Sequence, residues 1–215
     1  MEFRNHDRKS FVREIKMTRL FDDILDKGMR AGQIPGKTST AREWYRNKSK
    51  EVGKVNETSI FKSSDNKFES RFRIGQMYMF YYDPKHKDTL PYYDRVPLIF
   101  PINKAKGGFL GINFHYLPLP LRAKLMDALY ENALSNQRFD ETTKMQISYK
   151  ILNAASQYKE FKPTVKHYLT QHVRSRLMYI PPTEWDIALF LGIAKFVGAT
   201  QTEVWDESRK IIKGK

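Results

Sequence analysis

The sequence predicts an α+β fold: a small, strongly bent antiparallel sheet or barrel over about residues 74–117, flanked by N-terminal and C-terminal helices. Three observations predict it. Apolar residues recur at helical spacing before residue 53 and again after residue 118. Between 77 and 117, aromatic and β-branched residues gather in short runs cut by Pro and Gly. The 215 residues, 40% hydrophobic and 13% aromatic, are enough to bury a core without a metal or a disulfide.

Residues 10–31 read as a helix that Ser10 can cap, with Phe11, Ile15, Met17, Leu20, Phe21, Ile24 and Leu25 on its apolar side and Gly28 and Gly32 at its end. After a turn at 33–36, Thr40 and Glu43 have capping-box spacing, so a second helix with a basic face runs to about Val52, where Gly53 stops it. Residues 54–73 are rich in Ser, Lys and Asn, have no period, and read as a loop. Residues 1–73 thus form a helical, basic N-terminal region with a polar loop, and 74–215 an α+β core domain.

Met77 to Tyr82 is β-prone and stops at Asp83-Pro84, Leu98 to Phe100 lies between Pro97 and Pro101, and Gly108 to Leu117 is a third β-prone run. Phe80 and Phe100 belong in its core. Gly75, Gly107, Gly108 and Gly111 sit where turns, bulges or close backbone approach are expected, which favours a bent sheet over a flat one. Pro120 starts a helix to about Leu134, and Asp140 or Thr142 starts another through Ala155, the two forming a hairpin. Pro163 restarts a helix to about Arg174, Pro181-Pro182 breaks the chain, Trp185 to Leu191 is β-prone, and a last helix begins near Thr202.

Charge narrows the partner. Thirty-eight Lys and Arg against 24 Asp and Glu leave a net +14, which points to a polyanion, with nucleic acid ahead of a membrane or an acidic protein. Zero cysteines remove a thiol nucleophile, a disulfide framework, a Cys-type zinc site and an iron–sulfur cluster, and fit a reducing compartment. The longest strongly apolar stretch, Ala188 to Ala194, is too short to span a bilayer, and the start has no apolar signal core; the chain reads as soluble.

Lys144 to Arg176 holds Lys144, Lys150, Lys159, Lys162, Lys166, Arg174 and Arg176 against one acid, Glu160. Lys159, Lys162 and Lys166 lie around Pro163, and such a cluster neutralises phosphates without reading base sequence; the alternative is a solvated helical face. Arg42, Arg46 and Lys50 stand at successive i+4 steps, where like charges repel and an anion would relieve them. The alternative there is an exposed basic face. Tyr78, Tyr81, Tyr82, Tyr92 and Tyr93 could stack on bases, although aromatic pairs on neighbouring strands normally build a core. Arg71 and Arg73 alternate with Phe72 and Ile74, which would set both guanidiniums on one sheet face as a partner surface.

No Gly-rich phosphate loop, His-Glu-x-x-His or Gly-x-Ser-x-Gly occurs, so neither catalysis nor a cofactor is expected. Asp83-x-Lys85 and Glu160-x-Lys162 resemble half of a nuclease metal site, but two such tripeptides arise by chance in a chain this charged. His167 and His172, five apart, miss the spacing for a shared metal on a helix, and His115 reads as a hydrogen-bonded structural histidine.

Two blocks are distinctive: Gly75-Gln-Met-Tyr-Met-Phe-Tyr-Tyr-Asp-Pro-Lys-His-Lys-Asp-Thr-Leu-Pro-Tyr-Tyr-Asp-Arg-Val-Pro-Leu98 and Gly108-Phe-Leu-Gly-Ile-Asn-Phe-His-Tyr-Leu-Pro118. With Ala41-Arg-Glu-Trp-Tyr-Arg46 and Val173-Arg-Ser-Arg176, they resemble the DNA end protector proteins, virion proteins of T4-type contractile-tailed phages. The resemblance covers most of the chain. It implies a virion component near the DNA terminus that shields linear double-stranded DNA from the host's recombination exonuclease and helps complete the head. Its implied partners are DNA termini and other virion proteins, with no membrane and no small-molecule substrate. It would reside in the virion, and in the host cytoplasm during assembly and after injection. No catalytic residues come with the family. The choice of Lys159, Lys162, Lys166, Arg174, Arg176, Arg42, Arg46 and Lys50 as DNA contacts rests on charge alone. The alternative is a structural neck, tail or baseplate protein whose basic surface meets acidic protein.

Overall fold

A strand buried on both faces must be apolar at every position, and the stretches 77–79 and 98–102 at the centre of this chain are. In a computed structural model, which describes residues 20–62 and 67–213, six strands form one antiparallel sheet in the order β1-β7-β2-β4-β5-β6. They are β1 (Phe68–Glu69), β2 (Met77–Met79), β4 (Leu98–Ala105), β5 (Gly108–Asn113), β6 (Val165–Leu169) and β7 (Leu177–Ile180). A second, two-stranded sheet pairs β3 (Tyr93–Asp94) with β8 (Phe196–Val197). The helices are α1 (Leu20–Arg30), α2 (Ser39–Glu51), α3 (Glu57–Lys62), α4 (Leu119–Leu129), α5 (Glu141–Gln157), α6 (Trp185–Phe190) and α7 (Gln201–Lys213).

Alternation along the strands divides the sheet into two cores. Met77, Met79, Leu98, Phe100, Ile112 and Ile180 face a large cluster that also takes in Phe21 and Ile24 of α1, Tyr45 of α2, Leu125 of α4, Leu152 of α5 and Trp185 of α6. Phe100 sits there edge-on to Phe114 and Trp185, with ring centroids 5.4 and 4.8 Å away. The opposite residues, Tyr78, Phe80, Ile99, Phe109, Tyr168 and Leu177, form a smaller aromatic cluster, with Phe72 packed over Phe109 at 4.4 Å. Phe80 and Phe100 are both fully buried, as expected, but on different faces.

Local signals account for many boundaries. Thr38, rather than Thr40, caps α2, its hydroxyl accepting from the Ala41 N–H at 3.1 Å. Gly53, at φ +73°, follows the end of α2 in a conformation that costs glycine little. Pro120 lies in the first turn of α4, which continues as one π-helical turn over Tyr130–Leu134. Asp140 caps α5 by accepting from the Thr143 N–H at 2.7 Å.

The sheet is not closed, and it extends well beyond residues 74–117. No barrel forms. β1 lies in the stretch 54–73 that reads as a loop, which also contains α3; β6 comes from a region that reads as a helix, and β7 from a stretch to which the sequence assigns no element. The expected helix from Pro163 to Arg174 is replaced by a 3₁₀ turn at Lys162–Thr164 followed by β6. Its backbone pairs with β5 and its Tyr168 enters the second core, gains that exceed any local helical preference. Trp185 to Phe190 is a helix, not a strand: every residue is buried, so the run carries no periodicity from which to tell the two apart. Residues 10–19 of the first expected helix lie outside the described residues, and α1 accounts for the rest.

Candidate nucleic-acid interface

The expected basic ladder on α2 turns inward. Arg42 and Arg46 are only 4% and 8% exposed. Arg42 Nε donates to Asp127 at 2.9 Å and its Nη2 reaches Glu131 at 3.4 Å. Arg46 bridges Asp186 at 2.6 Å and Asp127 at 2.7 Å. The anion that relieves the i+4 repulsion is therefore the protein's own, supplied by α4 and α6, so neither arginine presents the phosphate-binding charge expected of it. Lys50 alone of the three is exposed, with its Nζ bonded to Asn47 and 5.2 Å from the Phe190 ring centre. Burial opposes the charges of Arg46, Asp127 and Asp186. The bonds from Arg46 and Arg42 still hold the Asp127 carboxyl below its ordinary value, whereas at Asp186 burial prevails and pushes the carboxyl up to about 6.

The Lys159–Lys162–Lys166 cluster is divided. Lys159 and Lys162 are exposed after α5, where Lys162 and Val165 border a depression of about 250 Å³. Lys166, next along β6, projects to the other side of the sheet and lies over Tyr116, its Nζ 4.0 Å from the ring centre; burial holds its ammonium below the usual lysine range. Arg176 is exposed but donates to the Phe68 carbonyl at 3.1 Å and stacks on that ring. Arg71 and Arg73 are also exposed, although their segment is not a strand.

Arg174 opens a different site. Asp94 of β3 is buried, accepting from Asn113 at 2.8 Å and lying 2.7 Å from Nδ1 of the fully buried His115. With Asp94 anchored inward, alternation sends Tyr93 and Arg95 outward, beside Val197 of the paired strand. Main-chain bonds then join three distant segments: Tyr82 N–H to Arg95 O at 2.9 Å, Arg174 N–H to Tyr81 O at 2.8 Å, and Asp83 N–H to His172 O at 3.1 Å. Between them lies a cleft of about 560 Å³, walled by Tyr81, Tyr82 and Tyr93 and carrying the cations Lys87, Arg95 and Arg174. Its one acid, Asp83, lies 3.1 Å from Lys87 and 3.6 Å from Arg174. The Lys87 hydrogen bond, then the nearby positive charges, keep that carboxyl below its ordinary value.

The cleft also sorts the five tyrosines. Tyr78 and Tyr82 are core residues, Tyr92 packs on Tyr116 and Phe196, and one face of Tyr81 is taken by Phe61 at 4.6 Å. Tyr93 makes no ring-to-ring contact among the described residues. Lys87 and Arg95 escape sequence reasoning because no local spacing ties either to Arg174; only the pairing of residues 81–83 with 93–95 and 172–174 places them beside it.

Residues 30–208 match the family model described as phage T4 terminal DNA protecting protein. The chain belongs to that family. No curated protein and no solved structure matches it. The span matched to the terminal DNA protecting protein family contains every strand among the described residues and the whole cleft. Among the described residues of this family member, no helix is long and apolar enough to cross a membrane, and no three His, Asp or Glu side chains are grouped to hold a metal.

Proposed function

We propose that this protein is a non-catalytic virion component that binds the ends of linear double-stranded DNA, shields them from exonuclease and takes part in completing the head. Family membership over residues 30–208 is the observation that carries the reading. The net charge of +14 and the exposed cations at Lys159, Lys162, Arg95 and Arg174 support it. In this reading the protein acts in the virion beside other virion proteins, and in the host cytoplasm during assembly and after injection. Occlusion of a terminus needs only affinity and bulk, whereas a nuclease needs carboxylates holding a metal at the scissile phosphate.

The test is to incubate the protein with linear duplex DNA and compare a processive exonuclease with an endonuclease that cuts internally. The expected result is slowing of the exonuclease more than of the endonuclease, and intact DNA when magnesium or manganese is added without a nuclease. Equal protection of ends and internal sites would remove the end preference. Metal-dependent degradation that Asp83→Asn or Glu160→Gln abolishes would overturn the non-catalytic reading.

A further inference from the structure

Binding along a duplex calls for cations on an open surface, and this protein has those at Lys159 and Lys162. The tyrosine-walled cleft is differently built. Arg95 and Arg174 flank the Tyr81–Tyr82 segment on opposite sides, each tied to it by a main-chain hydrogen bond, and both reach one concavity of about 560 Å³. That volume lies within the range of single small-ligand sites and is far too small for a duplex. On the same wall stands Tyr93, half-buried and without a ring partner among the described residues. A forked cation on each side of a phosphate and a flat ring for a base are complementary to one nucleotide.

Asp83 adds a selection. Its carboxylate already sits beside Lys87 and Arg174, so an incoming phosphate must compete with it. A phosphodiester inside a strand carries one negative charge. A terminal phosphomonoester carries about 1.5 to 2 at neutral pH, and so competes better for the same cations.

We infer that this cleft takes the terminal nucleotide of a DNA strand, holding its end phosphate between Arg95 and Arg174 and its base against Tyr93. This rests on the end-binding reading above and adds the part of the DNA that is recognised.

The probes are a thymidine tetranucleotide with a 5′-phosphate and the same tetranucleotide with a 5′-hydroxyl, titrated into the full chain at physiological salt. The phosphorylated probe should bind roughly tenfold or more tightly, the size of effect expected for charge-assisted hydrogen bonds to one phosphate. Arg95→Gln and Arg174→Gln, both at exposed positions, should each narrow that ratio. Tyr93→Ala should weaken both probes by roughly five- to a hundredfold, and Tyr93→Phe should restore them, because stacking needs the ring and not the hydroxyl. Asp83→Asn should narrow the preference by improving the hydroxyl probe.

Equal binding of the two probes by the parent protein would overturn the inference. So would a doubly substituted Arg95→Gln/Arg174→Gln protein that keeps both the probe preference and full exonuclease protection, and in that case end protection itself would stand. A parent protein that prefers the phosphorylated probe through these residues yet protects no DNA end would sustain the cleft and overturn the end-protection reading.

Discussion

Arg46 and Asp186 show how much a residue's meaning depends on what it meets. In the chain, Arg46 is one of three cations at helical spacing; in the fold it is enclosed with Asp186, which is 2% exposed. Burial pushes the Asp186 carboxyl up to about 6, so the folded protein holds that proton more tightly than the unfolded chain, whose aspartates titrate near 4. The stability from this group is therefore fully present below about pH 4 and is lost as pH rises through about 6. Replacing Asp186 by Asn removes this dependence. Urea unfolding of parent and Asp186→Asn across pH 4.5 to 7.5 should show the parent losing stability relative to the variant, by on the order of 2 kcal/mol. A relative stability that is flat, or that moves the other way, would contradict the burial account.

At the scale of elements, β6 is the instructive case. Its residues read as a helix after a proline, yet they complete the sheet beside β5. The approach is close. A Cβ added to Gly108 would lie 1.8 Å from the Tyr168 carbonyl oxygen, where backbone must yield. Gly108→Ala should accordingly part the β5–β6 pair at that end, destabilising the protein by roughly 1 to 3 kcal/mol. Amide exchange of residues in β6 should rise in this variant before that of β2 or β4, which lie inside the sheet. Exchange that rises uniformly, or not at all, would mean that the strand pair adjusts without opening. Helices α2, α4, α5 and α7 could be found in advance because each carries a start signal or an apolar period of its own. Helix α6 could not, since complete burial removes the polar face that reveals a period.

Across the whole molecule, the +14 charge does not measure how many phosphates the protein can neutralise. Arg42 and Arg46 are neutralised internally and Lys166 lies over a ring, while Lys159 and Lys162 remain in solvent. Log affinity for duplex DNA should fall linearly with log salt, and Lys159→Gln/Lys162→Gln together should flatten that line by roughly two units, about 0.9 for each phosphate left without its cation. Adding Lys166→Gln should change the slope no further. Binding that barely responds to salt would remove phosphate neutralisation as its basis, and an unchanged slope in the double variant would place the phosphate-binding cations elsewhere, first at Arg95 and Arg174.

The chain by itself determined its class, several helices, the apolar strands at its centre, its excess of positive charge and the motifs by which it resembles its family. These depend on spacing and residue type over a few positions, and local physics reads them directly. Tertiary structure decided which cations are free. Arg42 and Asp127 are 85 residues apart, and Arg46 and Asp186 are 140 apart, so no local pattern announces that one cancels the other. The same holds for the cleft, whose Tyr93, Arg95 and Arg174 meet only because strand pairing brings residues 81–83, 93–95 and 172–174 side by side. Charge acts through space over a few ångströms, and spatial neighbours on a folded sheet need not be neighbours in sequence.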